Sequence, residues 1–178
     1  PTNPDWWHEP IERSEMIWLV LSFAWCLFMF GWMIGWHWFG NQNMNNETYK
    51  STHEAFSQKV ADMQAKYTVR KDEATGEDVV APPPGSDVYL AGMMWQWRPL
   101  LELQKDKTYH VHISSLDVGH GLSLQPENIN FQVYPGYEQV INLTPNKSGI
   151  FSLVCGEYCG GGGTMGHHTM LGRIYVKE

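Results

Sequence analysis

Cysteine is scarce in this chain, three among 178 residues, so no disulfide framework organises it. Basic charge is short as well: 12 Lys and Arg stand against 19 Asp and Glu, for a formal net charge of -7. The sixteen leading residues carry four acids and one base, and the residues after Gly40 carry fifteen acids and eleven bases. That balance disfavours a nucleic-acid partner and suits a basic protein partner, with charge raising the encounter rate in a salt-sensitive way. No nucleophile beside a base and no catalytic carboxylate pair is evident in the sequence. The expectation is that this chain breaks and makes no bonds itself.

Charge is missing altogether between Ile17 and Gly40, a run long enough to cross a bilayer. Its leading flank is acidic and aromatic (Asp5, Trp6, Trp7, Glu9, Glu12) where a cleaved signal would be basic. The reading is a tail over 1–16 and a retained transmembrane helix over 17–40. Trp6, Trp7, Trp18, Trp36 and Trp38 stand where interfacial aromatic belts are expected. Trp18, Trp25 and Trp32 recur every seven residues on one helical face, and Ala24, Phe28, Gly31 and Gly35 line another. Gly31 and Gly35 have the small-residue spacing that allows close helix approach, which suits a larger membrane partner. Cys26 reads as a small apolar residue within the span. Arg13 before the span against Lys50 and Lys59 after it leaves orientation unspecified.

Residues 41–85 read as a linker carrying one short amphipathic helix. Ser51-x-x-Glu54 has the form of a capping box, and Phe56, Val60, Met63 and Tyr67 then fall at helical spacing. Such a helix can lie on a membrane, against a partner or at an ordinary surface. The run Ala81-Pro82-Pro83-Pro84-Gly85 breaks regular structure, which starts the globular domain at Ser86 and runs it to Glu178. Short strand signals follow at 88–95, 108–114, 130–134, 139–143, 149–154 and 173–177. Many short strands without strong helices predict an all-β Greek-key sandwich or barrel. His110 and His112 alternate with Tyr109, Val111 and Ile113, and read as solvated residues on one strand face.

Chemistry concentrates near the C-terminus. Cys155-Gly-Glu157-Tyr-Cys159 is followed by Met165-Gly-His167-His168-Thr-Met170, and Asp117-Val-Gly-His120-Gly lies thirty-five residues before the first thiol. Two thiols, several imidazoles and a thioether form a ligand set that copper prefers, because soft sulfur suits Cu(I) and imidazole suits both oxidation states. One thiol would suit a mononuclear centre, whereas two thiols four apart can bridge a pair of copper ions. A disulfide between the cysteines, or a Cys2His2 zinc site, uses fewer of these residues.

These residues resemble subunit II of the haem-copper oxidases, which carries a binuclear copper centre, CuA. The family pattern is Asp-Val-x-His-Gly followed by Cys-x-Glu/Gln-x-Cys-x-x-x-His-x-x-Met. The stretch from about Asp87 to Glu178 follows it, including Asn128-Ile-Asn130, Tyr134-Pro-Gly136 and Leu171-Gly-Arg-Ile-Tyr-Val-Lys177. A single span and a short closing strand bring it nearest to the B-type cytochrome c oxidases. The resemblance implies a cupredoxin-like sandwich with one N-terminal transmembrane helix and the copper domain on the periplasmic or outer side. It implies bridging thiolates from Cys155 and Cys159, one imidazole each from His120 and His167, a weak Met170 thioether and the Glu157 carbonyl. Glu157 would also face a magnesium ion at the subunit boundary. Trp95 or Trp97 would receive electrons from the donor, alternation giving both the same face. The partners implied are a catalytic haem-copper subunit I and a soluble donor such as cytochrome c or a cupredoxin. O2 reduction would take place in subunit I.

One departure stands out. The family places three residues between the second Cys and the His; here Gly160 to Gly166 makes seven, and Gly163 occupies the usual position of the histidine. His167 keeps the family's distance to Met170, while His168 is its neighbour. Asp117 and Glu157 are candidates to accept the second ring N–H of a ligand histidine. Other readings of this chain are the small subunit of a haem-copper nitric oxide reductase, a copper-delivery protein and a metal-free anchor subunit. A quinol oxidase subunit II would lack the cysteines.

Overall fold

The computed structural model describes residues 8, 10–40, 47–162 and 164–178. The expected aromatic belt residues Trp6 and Trp7, the flanking Asp5 and Glu9, the linker residues 41–46, and Gly163 fall outside them. The chain divides into two units, Pro1–Gln42 and Asn43–Glu178.

The first unit is one helix, α1 (Arg13–Phe39), long and apolar enough to cross a membrane. It starts four residues before the apolar run. The Glu12 side chain accepts from the backbone of the first turn, while Glu15 accepts from the Glu12 N–H at 3.0 Å, a reciprocal cap that satisfies otherwise unpaired donors. Phe28 lies 5.4 Å from the Trp25 ring and 6.2 Å from the Trp32 ring. It therefore joins the tryptophan stripe, as residues three and four apart do on a helix. Gly31 and Gly35 floor a shallow groove between Phe28, Trp32 and Trp36.

The second unit is a β-sandwich entered through β1 (Glu47–Lys50) and α2 (His53–Tyr67). The strands that follow are β2 (Thr68–Lys71), β3 (Asp78–Val80), β4 (Asp87–Met93), β5 (Gln96–Arg98), β6 (Leu100–Gln104) and β7 (Tyr109–Ser115). After them come β8 (His120–Gln125), β9 (Ile129–Val133), β10 (Tyr137–Leu143), β11 (Gly149–Cys155), β12 (Gly161–Gly162), β13 (Met165–Gly166) and β14 (Leu171–Lys177). Hydrogen bonding runs β1-β10-β7-β4-β5-β14-β11-β8-β9, with β6 also beside β14 and leading to β3 and β2. Inward rows from both sides meet in one core, including Leu90, Val111, Ile113 and Ile141 opposite Leu122, Leu124, Leu153 and Ile174. Alternation of period two produces these rows.

The six expected strands are present, with altered ends. The first stops at Met93, where a turn through Met94 and Trp95 starts β5. The compact unit begins before Ser86, because β1 pairs with β10, β3 pairs with β6, and Phe56 on α2 is fully buried. The helix is capped by Thr52, whose Oγ1 accepts from the Ala55 N–H at 3.2 Å, one residue beyond the expected Ser51. Its apolar face, Phe56, Val60 and Met63, is covered by the sandwich itself and is not free for a membrane or a partner.

His112 also departs from expectation. Its side chain is 13% exposed, with Nδ1 2.6 Å from Glu138 and Nε2 3.4 Å from Asp87. Glu138 is fully buried and accepts from Tyr49 as well as from Lys59 Nζ at 3.0 and 3.1 Å. Four elements, β1, α2, β7 and β10, are thereby tied through one carboxylate. Burial alone would raise the Glu138 carboxyl, but the hydrogen bonds from Tyr49, Lys59 and His112 hold it below the usual carboxylate range. A depressed carboxyl stabilises the fold above its unfolded pKa, and that contribution is lost as pH falls through the folded value. Glu138→Gln is expected to cost about 3 kcal/mol at neutral pH. Melting temperatures of variant and parent should converge as the solution is acidified.

Candidate metal centre

Strand register places the site. Phe151, Leu153 and Cys155 form the inward row of β11, and His120, Leu122 and Leu124 form that of β8. The two strands pair with Cys155 opposite Leu122, and β11 pairs with β14 so that Val154 faces Leu171. The last inward member of each row thus arrives at the same end of the sandwich. Two backbone bonds close the corner: the Cys155 N–H donates to Met170 O at 3.3 Å and the Gly156 N–H to Gly121 O at 2.9 Å.

The two sulfurs lie 3.8 Å apart, both buried and both free thiols. His120 Nδ1 is 3.8 Å from Cys155 Sγ, and His167 Nδ1 is 3.8 Å from Cys159 Sγ. Met170 Sδ, fully buried, is 3.7 Å from Cys159 Sγ. The Glu157 carbonyl oxygen is 3.1 Å from Cys155 Sγ. Each thiol therefore has its own imidazole and its own weaker donor. The six expected ligand residues converge, and His120, Cys155 and Cys159 alone already offer three donor atoms within 4.8 Å of one another. Soft sulfur with imidazole and thioether is chemically suited to copper. In the metal-free protein, burial and the adjacent Cys155 thiol push the Cys159 thiol up to about 11, so a bound metal displaces a proton.

The second layer is selective. Asp117 Oδ1 accepts from His120 Nε2 at 2.7 Å, leaving Nδ1 turned to Cys155. Its other oxygen accepts from the Met94 N–H at 2.6 Å. Partial burial would raise this carboxyl, yet the bonds from Met94, His120 and the Val118 N–H keep it below the usual range. Glu157 does not share that role: its carboxylate accepts from Gln132 Nε2 at 3.0 Å.

The four extra residues are taken up in a tiny hairpin, β12 against β13, with Gly161 opposite Gly166 and Gly162 opposite Met165. The His167 N–H donates to Gly160 O at 2.9 Å across its base. The insertion is extruded, and His167 reaches Cys159 as if the chain were shorter. His168 instead is exposed, its Nδ1 3.4 Å from where a Cβ on Gly166 would lie. Gly161 has φ +151, and a Cβ there would stand 2.8 Å from Gly166 Cα, so the hairpin strands can touch only as glycines.

The two tryptophans differ. Trp97 is buried, its ring 5.9 Å from His120 and edge-on, while Trp95 in the preceding turn is half-buried against the core. Neither indole Nε1 has a hydrogen-bond partner among the described residues. A recess of about 530 Å³ opens over the site, lined by Met94, Val118, Gln132, Tyr134 and Tyr158, with His120 and Cys159 in its wall. Glu157 is the one carboxylate of that lining among the described residues. Sequence reading did not single out Met94, Gln132 or Tyr134 as residues of this recess, because none belongs to the expected ligand set and only the fold gathers them.

No protein-family model matches the chain. Over 92 residues, 51% of this chain and 65% of the relative, it is 33% identical to cytochrome c oxidase subunit 2 of Thermus thermophilus. Over 78 residues, 44% of this chain and 23% of the relative, it is 36% identical to the probable cytochrome c oxidase subunit 2 of Streptomyces coelicolor. The matches thus span less than two thirds of these relatives. In fold it is similar to a chain of a heme-copper terminal oxidase dimer, with TM-score 0.56 and 20% identity over 93% of this chain and all of the other. It is also similar to a rusticyanin variant, with TM-score 0.51 and 15% identity over 76% of this chain and all of the other. The fold is cupredoxin-like, and the resemblance to cytochrome c oxidase subunit 2 holds in sequence as well.

Gly161→Ala is expected to spread the hairpin and displace His167 while leaving the sandwich folded. Copper affinity, measured against a competing chelator, should fall by about 10- to 100-fold, with the melting temperature nearly unchanged.

Proposed function

We propose, from the chain's kinship with the second subunits of cytochrome c oxidases, that it is the electron-receiving subunit of a membrane haem-copper terminal oxidase. The observation that carries this reading is the pair of buried free thiols 3.8 Å apart, each with its own imidazole. A mononuclear copper electron-transfer set uses one such thiol; two in this arrangement suit a binuclear centre.

Cys155 and Cys159 would hold both copper ions through their sulfurs, with His120 and His167 as outer imidazoles. Met170 and the Glu157 carbonyl would be the weak ligands. When bound, such a centre accepts and releases one electron shared over two metals. The protein residues keep that event cheap in structural terms. β11 and β14 fix Cys155 and Met170 through the 3.3 Å backbone bond. Asp117 holds the His120 ring in a single orientation at 2.7 Å. The buried sulfurs exclude water, so charge changes there reorganise little solvent.

A soluble donor, cytochrome c or a cupredoxin, would dock over the recess beside Tyr158, which is 80% exposed. The overall acidic balance would steer a basic donor, since the recess itself has little charge of its own. Trp97, in contact range of His120, is the better placed of the two tryptophans to couple the centre to the protein beyond it. The electron would pass on to haem in a catalytic subunit I, where O2 is reduced. α1 would anchor the chain, with the copper domain on the periplasmic side and Gly31 and Gly35 open to a partner helix. Glu157, facing the recess wall, remains the candidate for magnesium at the subunit boundary.

The full chain loaded with copper should bind two equivalents and give a delocalised mixed-valence electron paramagnetic resonance spectrum. Cys159→Ser should abolish that spectrum and leave at most one equivalent. One equivalent in the unaltered chain would refute the binuclear reading.

A further inference from the structure

The recess above the thiols contains a sulfur that the ligand set does not use. Met94 is 44% exposed, and its Sδ lies 3.8 Å from where a Cβ on Gly160 would stand. It shares the recess with His120 and Cys159, which are 1% and 4% exposed. An ion arriving from solvent therefore meets a thioether before it meets the buried thiols. A thioether is a soft, neutral donor suited to Cu(I), and it loses no proton on binding.

Met94 is also held in register with the inner site. Its backbone N–H donates to Asp117 Oδ2 at 2.6 Å, while the other oxygen of that carboxylate holds His120 at 2.7 Å. One carboxylate thus ties the backbone at Met94 and the inner imidazole to each other.

We propose that Met94 is a Cu(I)-capture ligand: it receives the ion at the mouth of the recess and passes it inward to Cys159 and His120 by ligand exchange. The inference rests on the copper reading given above. The step changes no oxidation state. Cu(I) leaves the thioether for the Cys159 sulfur as the S–H bond breaks, and the thiol proton goes to solvent water. Met94 has no place in the final ligand set, so it governs the rate of loading and not its extent.

The test uses the reduced, metal-free full chain in detergent, without oxygen, given Cu(I) as its coloured bicinchoninate complex. Loss of colour reports transfer to the protein. Met94→Leu keeps volume and apolar character, and should take up the same final amount of Cu(I) about tenfold more slowly. Met94→His, which restores a Cu(I) donor, should recover most of the rate. A melting curve for each variant identifies any loss of fold, and a folded Met94→Leu that loads as fast as the parent overturns the capture role. If the unaltered chain takes up no Cu(I), the copper reading fails and this inference falls with it.

Discussion

Everything at the functional end of this molecule depends on the register of β11 between β8 and β14. Side chains alternate with a period of two, so a slip of one residue would turn Cys155 outward and Val154 inward. It would also break the two backbone bonds that bring Met170 and Gly121 to the corner. The core enforces that register: Phe151 and Leu153 must be buried, and Cys155 follows them by parity. The thiol is thus positioned by hydrophobic burial two and four residues upstream, before any metal chemistry applies.

The ligand loop shows how such a site tolerates added length. Seven residues separate Cys159 from His167, yet the Gly160–His167 backbone bond and the glycine pair beneath it remove the excess from the loop path. Insertion and preservation are reconciled because glycine permits both the positive φ and the close strand approach. A side chain at either Gly161 or Gly166 would force the strands apart and transmit the change to His167.

Sequence reading named the residues that converge at the thiol corner, the all-β class and six strands because each signal is local. Thiol and imidazole spacing, alternation and turn residues are all visible within a dozen positions. It missed what depends on distant pairing. β1, β3 and β6 are three to five residues long and gain their identity from neighbours far along the chain. The role of α2 was left open because amphipathicity shows that a face must be covered, not by what. His112 was read as solvated since alternation correctly put it off the core face; that face is then roofed by α2 and β1, which carry Lys59 and Tyr49. Trp95 and Trp97 could not be separated because the turn between β4 and β5 was not foreseen. Of the two carboxylates offered as histidine partners, only Asp117 takes that part, since Glu157 is drawn away by Gln132.

Seven of the nine tryptophans precede Gly40, and the two that remain both belong to the β4–β5 corner, where Trp97 lies beside His120. Trp97 is buried, its indole N–H has no partner among the described residues, and its ring faces His120 at 5.9 Å. An indole so shielded from water emits at short wavelength, and a paramagnetic ion a few ångströms away quenches it. The sandwich therefore contains its own optical gauge of occupancy, legible by fluorescence without any attached dye.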